Sequence, residues 1–221
     1  MGNATYFWVH DPLTPPIPRR SRPVLAFFCG VIWLALLAGG SALMLRYDYT
    51  AGTAGQAPTT WPAASGIPRA PNGATLVMLA HPKCPCSRAS IEELAALMAE
   101  SKGTVTAHVL FFKPEGASDD WTHTAQWQAA SAIPGVTVGN DEAGAEAKRF
   151  GGETSGDVLL YDAGGRLAFH GGVTAARGHV GANAGHTSLA ALLRGTAPAK
   201  TRTPVFGCPL STGPTPCPLH P

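Results

Sequence analysis

The longest feature in the hydrophobic pattern is a run of 22 residues without a charge, Val24 to Leu45. That is long enough to cross a bilayer as one helix and too uniformly apolar for an amphipathic helix on a soluble core. A cleaved signal peptide would carry a shorter apolar region ending in a small-x-small site. Gly39-Gly40-Ser41-Ala42 offers small residues, but Leu43-Met44-Leu45 continues the run past them, so an uncleaved anchor is expected. Arg19, Arg20 and Arg22 precede the run and only Arg46 follows it. The excess puts the N-terminus in the cytoplasm and exports the rest, with Tyr47 and Tyr49 at the far interface.

Beyond the run the pattern changes twice. Residues 46–73 are rich in Ala, Thr, Pro and Gly with little to bury, and read as a flexible linker. From Ala74 short apolar runs begin. Thr75 to Ala80 suits a buried strand, and Pro85 to Ser101 has helical period through Ile91, Leu94, Ala95 and Met98, with Lys102 and Gly103 as its stop. Thr104 to Phe112 is a second strand, so a βαβ unit with a parallel pair follows. Trp121 to Ala132 and Glu142 to Phe150 read as helices around a short strand near Val136-Thr137-Val138. Val158 to Tyr161 and Leu167 to His170, joined by Asp162-Ala163-Gly164-Gly165, form a hairpin. Leu189, Leu192 and Leu193 stripe a last helix ended by Gly195. The divisions are therefore a cytoplasmic segment at 1–23, a transmembrane helix at 24–45, the linker at 46–73, one α/β domain at 74–195, and an irregular Pro-rich tail at 196–221 holding Cys208 and Cys217.

Composition sharpens this picture in two places. Charged residues are 14% of the chain and hydrophobic ones 45%, which agrees with part of the apolar sequence belonging to a membrane. The formal charge of +2 hides an asymmetry: residues 74–195 hold nine Lys/Arg against twelve Asp/Glu, while the flanks hold seven against two. A mildly acidic domain without a basic, aromatic-interleaved patch is not a nucleic-acid binder. No Gly-rich phosphate loop or informatively spaced Ser/His/Asp set points to a nucleotide site, a kinase or a hydrolase.

The candidate chemistry is Cys84-Pro85-Cys86, where the first strand hands over to its helix. Pro85 suits the first helical position, because its missing N–H would have had no partner there. Cys84 then caps the helix, with its sulfur facing the free amides of Cys86 and Ser87, and the helix dipole favours thiolate. Lys83 adds positive charge. Cys84 is the expected nucleophile. A Cys84–Cys86 bridge closes a small, strained ring and would be a strong oxidant. Cys208, behind the apolar pair Val205-Phe206, is the other possible partner. The local pair is favoured here, because Pro85 holds both sulfurs at one helix end. Cys208 and Cys217 could instead staple the tail together, and Cys29 reads as a small apolar residue in the span.

The stretch Leu76-Val77-Met78-Leu79 leading into His81-Pro82-Lys83-Cys84-Pro85-Cys86-Ser87 resembles the active-site region of the thioredoxin-like superfamily. The arrangement from Ala74 to Cys208 also resembles RedB-type membrane-anchored proteins of bacteria. The resemblance implies a central mixed sheet flanked by helices and thiol redox chemistry, and with the arginine excess the expected location is a bacterial inner membrane with the domain in the periplasm. The sequence departs from Trp-Cys-Gly-Pro-Cys. It also departs where the superfamily keeps a cis-proline that shapes the substrate groove: Thr154, Ser155 and Gly156 stand there instead. In many relatives that proline keeps metals from the cysteines, so its absence strengthens a metal-binding alternative. In this topology the connection Gly171 to His179 overhangs the cysteines, and Arg177 and His179 could bind an anionic group or stabilise the thiolate.

The resulting expectation is a membrane-anchored thiol–disulfide oxidoreductase with no cofactor, acting on a protein or on a small thiol or disulfide, with the lipid bilayer as its other partner. Cys84, Cys86 and Cys208 carry the reaction, and Thr154, Ser155, Gly156, Arg177 and His179 bind or tune. One alternative is a copper(I)-binding, metallochaperone-like protein using Cys84, Cys86 and His81 as soft ligands. Copper-delivery proteins of this fold space their cysteines differently. Another alternative is a non-catalytic interaction domain. His108 and His170, within or at the ends of strands, read as structural.

Overall fold

The computed structural model describes residues 22–53, 55–101 and 103–210. Arg19, Arg20, Lys102 and Cys217, which entered the sequence reading, lie outside them. Two compact units are present, one ending at Met44 and the other beginning at Leu45. The first is the body of helix α1, Arg22–Asp48, whose side chains from Val24 to Leu45 are exposed. At 1.5 Å per residue its 27 residues are about 40 Å long. It is the one helix among the described residues that is long and apolar enough to cross a membrane.

The second unit is built on a five-stranded mixed sheet whose strands lie side by side in the order Val136–Glu142 (β3), Val105–Lys113 (β2), Ala74–Ala80 (β1), Asp157–Tyr161 (β4) and Leu167–Gly172 (β5). Strand β1 (Ala74–Ala80) leads through α2 (Pro85–Ser101) to its parallel neighbour β2 (Val105–Lys113). Helix α3 (Ala125–Ser131) then leads to β3 (Val136–Glu142), parallel to β2 at the edge. Helix α4 (Ala145–Phe150) returns the chain to β4 (Asp157–Tyr161), antiparallel to β1, and the hairpin to β5 (Leu167–Gly172) precedes α5 (Ala184–Leu193). Six of the seven β1 residues are buried, because both faces of the central strand are covered. Leu76, Met78 and Ala80 pack on one side with Ile91, Leu94 and Leu97 of α2. Val77 and Leu79 pack on the other with Leu110, Phe150, Leu159 and Tyr161. The end of β1 thus emerges mid-sheet beside the start of β4, where Leu79 pairs with Asp157.

Two expected helices are shorter than their sequence patterns. The segment opening at Trp121 begins as a 3-10 turn, Asp119–Trp121, and becomes α-helical only at Ala125. Residues 142–144 are strand end and turn, and α4 starts after them because the buried Asp141 carboxylate accepts from the amides of Glu146 and Ala147 at 2.7 and 3.0 Å.

The segment expected to be a flexible linker lies against the domain. Trp61 stacks edge-on with Phe150 and Tyr161 at centroid distances of 5.1 and 5.2 Å. Thr60 bridges to Arg166, Tyr161 Oη donates to the Pro58 carbonyl, and Ala57 and Ala70 are buried. Tyr47, expected at the membrane interface, has its ring 4.8 Å from the Arg177 guanidinium. The tail is irregular but docked. The amide of His170 donates to the Thr201 carbonyl and that of Thr203 to the His170 carbonyl along the free edge of β5, and Val205, Phe206, Cys208 and Leu210 are buried.

Candidate functional site

After β1 the chain turns through His81–Lys83, where the Cys84 amide donates to the His81 carbonyl at 3.1 Å, and α2 opens at Pro85. The first helical bond runs from the Ser87 amide to the Cys84 carbonyl at 3.1 Å, so Cys84 stands just ahead of the helix. Cys84, Cys86 and Cys208 are 1%, 7% and 6% exposed and form a cluster of their own. Their sulfurs all lie within 4.8 Å of one another, and Cys84 Sγ is 2.8 Å from Cys208 Sγ. His81 does not join this group: its ring stacks on Phe112, and its Nδ1 accepts from the Lys83 amide at 3.2 Å.

Cys208 reaches the cluster because the tail pairs with residues 153–155, which include Thr154 and Ser155 of the expected groove segment. The Ser155 amide donates to the Cys208 carbonyl at 2.8 Å, Thr154 and Pro209 form an antiparallel bridge, and the Leu210 amide donates to the Glu153 carbonyl at 2.9 Å. Contact is close enough that a Cβ on Gly207 would overlap the Ser155 carbonyl. The groove segment is held in turn by the Gly156 amide, which donates to Leu79 O at 2.7 Å. Gly156 adopts φ +90°, which proline, with φ near −65°, cannot take. Ser155 Oγ accepts from the His81 amide at 2.8 Å and meets Ser87 Oγ at 2.7 Å, tying groove, turn and helix start together.

Charge at the site follows from these donors. The Cys208 thiol and then the Cys86 thiol hydrogen-bond to Cys84, and the amides of Cys208 and Cys86 add to them. Together they outweigh burial and hold the Cys84 pKa well below the usual thiol range. Cys86 is pulled down by its bond with Cys208. Donation to Cys84, burial and the charge on Cys84 outweigh that pull and push it up. Burial lowers the His81 pKa, with the Cys84 charge opposing and Lys83 assisting. Lys83 Nζ is committed 3.3 Å above the Trp121 ring.

Of the two overhanging residues, Arg177 reaches the site and His179 does not. Arg177 Nη1 donates to the Gly207 carbonyl, next to Cys208, and its charge acts on Cys86. His179 is exposed, with Nδ1 2.8 Å from the Arg177 carbonyl. The overhanging loop is anchored by Glu93, a buried carboxylate that accepts from the Gly181 amide and pairs with His186 Nδ1, both at 2.6 Å. Neither Glu93 nor the Ser87–Ser155 contact was identified from sequence. Glu93 is the one acid on the buried face of α2, and that placement was the available signal.

No protein-family model matches the sequence, and no curated protein matches it. Among solved structures the chain is similar to a hypothetical protein from Sinorhizobium meliloti, with 21% identity, TM-score 0.53, and coverage of 75% of this chain and 96% of that one. It is also similar to an uncharacterized conserved protein from Geobacillus kaustophilus, with 15% identity, TM-score 0.51, and coverage of 76% and 94%. A lower match, TM-score 0.35 at 19% identity over 43% of this chain and 66% of that one, is a secreted Mycobacterium tuberculosis disulfide oxidoreductase homologous to E. coli DsbE. Sheet order and strand directions fit a thioredoxin-like fold, while the RedB-type proteins specifically are not supported. The chain has a thioredoxin-like α/β fold: a mixed sheet flanked by helices, with three cysteines gathered where its central strand meets its first domain helix.

Proposed function

We propose that the chain is a membrane-tethered thiol–disulfide oxidoreductase whose domain works on the exported side, with Cys84 as nucleophile and Cys208 as resolving thiol. The observation that carries this reading is the 2.8 Å approach of Cys208 Sγ to Cys84 Sγ, beneath donors that favour the Cys84 thiolate. The local Cys84–Cys86 pair favoured by spacing alone has no comparably short contact: the 2.8 Å approach is to Cys208, and Cys86 joins only the wider cluster of sulfurs within 4.8 Å.

In the reaction the Cys84 thiolate attacks one sulfur of a substrate disulfide. A mixed disulfide forms and the other substrate sulfur leaves as thiolate. Cys208, losing its proton, attacks Cys84 and releases the second substrate thiol, leaving a Cys84–Cys208 disulfide. Two electrons have passed to the substrate, and a dithiol donor restores the enzyme. Arg177 holds the tail through Gly207, and Thr154 and Ser155 hold it by backbone pairing. Trapping tests the assignment. With an oxidised peptide as substrate, Cys208→Ser should accumulate a mixed disulfide on Cys84, Cys86→Ser should turn over, and Cys84→Ser should do neither. Accumulation in Cys86→Ser and turnover in Cys208→Ser would reverse the roles of the two thiols.

A further inference from the structure

The three sulfurs have a second use that disulfide exchange does not require. We propose that, fully reduced, Cys84, Cys86 and Cys208 form a three-coordinate site for a single copper(I) ion, completed by the tail. A metal–thiolate bond of about 2.3 Å in a trigonal plane places sulfurs about 4.0 Å apart. The three here already lie within 4.8 Å of one another, and the 2.8 Å Cys84–Cys208 approach has to open for the plane to form. The sulfurs come from positions far apart in the chain, yet meet in a buried cluster.

Ligand type and number select the metal. Three thiolates are soft donors, which favour copper(I). Zinc takes four ligands in a closed site, and among the described residues no histidine or carboxylate joins the sulfurs as a fourth. His81 is engaged elsewhere, by Phe112 and the Lys83 amide. Three thiolates around one monovalent cation leave a net negative charge in a buried place. The start of the 17-residue helix α2 offsets part of it. Arg177 offsets more: it lies beside Gly207, and its Nε is buried without a hydrogen-bond partner.

Ligation changes no oxidation state. Cys86 and Cys208 release their protons to solvent as the copper–sulfur bonds form, so binding weakens as pH falls. A Cys84–Cys208 disulfide removes two of the three donors, so oxidation and metal loading exclude one another. The site needs the thiols and the docked tail but not exchange activity.

The test uses the full-length chain in detergent, reduced and kept free of oxygen, titrated with copper(I) against a chromogenic copper(I) chelator. The expected result is one copper per chain, with X-ray absorption showing three sulfur neighbours and no nitrogen. Cys208→Ser should lose more than the roughly 10–100-fold in affinity typical of an outer-shell change, while His81→Ala should bind as the parent does. Circular dichroism of Cys208→Ser confirms that the loss is not unfolding, and Cys86→Ser provides a second ligand deletion. Full affinity in Cys208→Ser, a nitrogen neighbour lost in His81→Ala, or no copper taken up by the folded, reduced chain would each overturn the site. Exchange activity without copper binding would leave the oxidoreductase reading standing and this one refuted; copper binding without exchange would do the reverse.

Discussion

Hydrogen-bond donors converge on Cys84 from two directions, its own helix start and a segment 124 residues later in the chain. A donor to the charged form lowers a pKa, and removing it raises the pKa again. The Cys208 thiol is the largest of these donors, so Cys208→Ser should shift Cys84 titration upward, and Cys86→Ser should do so by less. Ultraviolet thiolate absorbance against pH measures this. The parent should hold one thiolate in mildly acid solution, far below the value of about 8.5 for a free cysteine, and Cys84→Ser should lose it. A titration with no component below the free-cysteine range would remove the nucleophile assignment. The helix-start half of this environment was legible in sequence, because strand, Cys, Pro and helical period stand in one local window. The Cys208 half was not, since nothing local shows that Val205-Phe206-Gly207-Cys208 lies along residues 153–155. Lys83 was misleading for a similar reason: its neighbour in sequence is Cys84, but its ammonium group sits on Trp121.

Among the elements, the regular ones were readable and the irregular ones were not. The two parallel strands, α2 and the hairpin announce themselves by apolar runs and by 3.6-residue period. Residues 50–73 and 199–210 show no period, because each anchors through single side chains and backbone bridges to distant partners. Trp61 is the clearest case: its partners, Phe150 and Tyr161, are placed by another helix and strand. Trp61→Ala should therefore destabilise the domain by about 2–3 kcal/mol, at or below the low end for buried aromatics because Trp61 is only half-buried. A fall in Tm on thermal unfolding reports it, and an unchanged Tm would mean that the segment is a tether after all. For the tail, Gly207→Ala should push the strand away from the Ser155 carbonyl. The expected outcome is faster proteolysis after Thr203 and less bridging between Cys84 and Cys208, with the sheet itself unchanged. Equal protection in the variant would show that the tail is held without that contact.

At the scale of the whole chain, we propose that a helix able to cross a membrane tethers an exported redox domain closed by its own C-terminal segment. The arginine excess before Val24 predicts that residues after Asp48 lie outside the cytoplasm. Reporter fusions at residue 70 and at the C-terminus should both score as exported, and a cytoplasmic score would reverse the orientation and remove the oxidising compartment. Four of the seven basic residues outside the domain, Arg19, Arg20, Arg22 and Arg46, stand beside the span, three of them before it. The central chemical claim joins positions 84 and 208 across nearly the whole domain, and one measurement addresses it directly: peptide mapping of the oxidised full-length chain under non-reducing conditions. The predicted main species links the Cys84 peptide to the Cys208 peptide, with Cys86 alkylated as a free thiol. A main species that keeps Cys84 with Cys86, or links Cys208 to Cys217, would contradict the account.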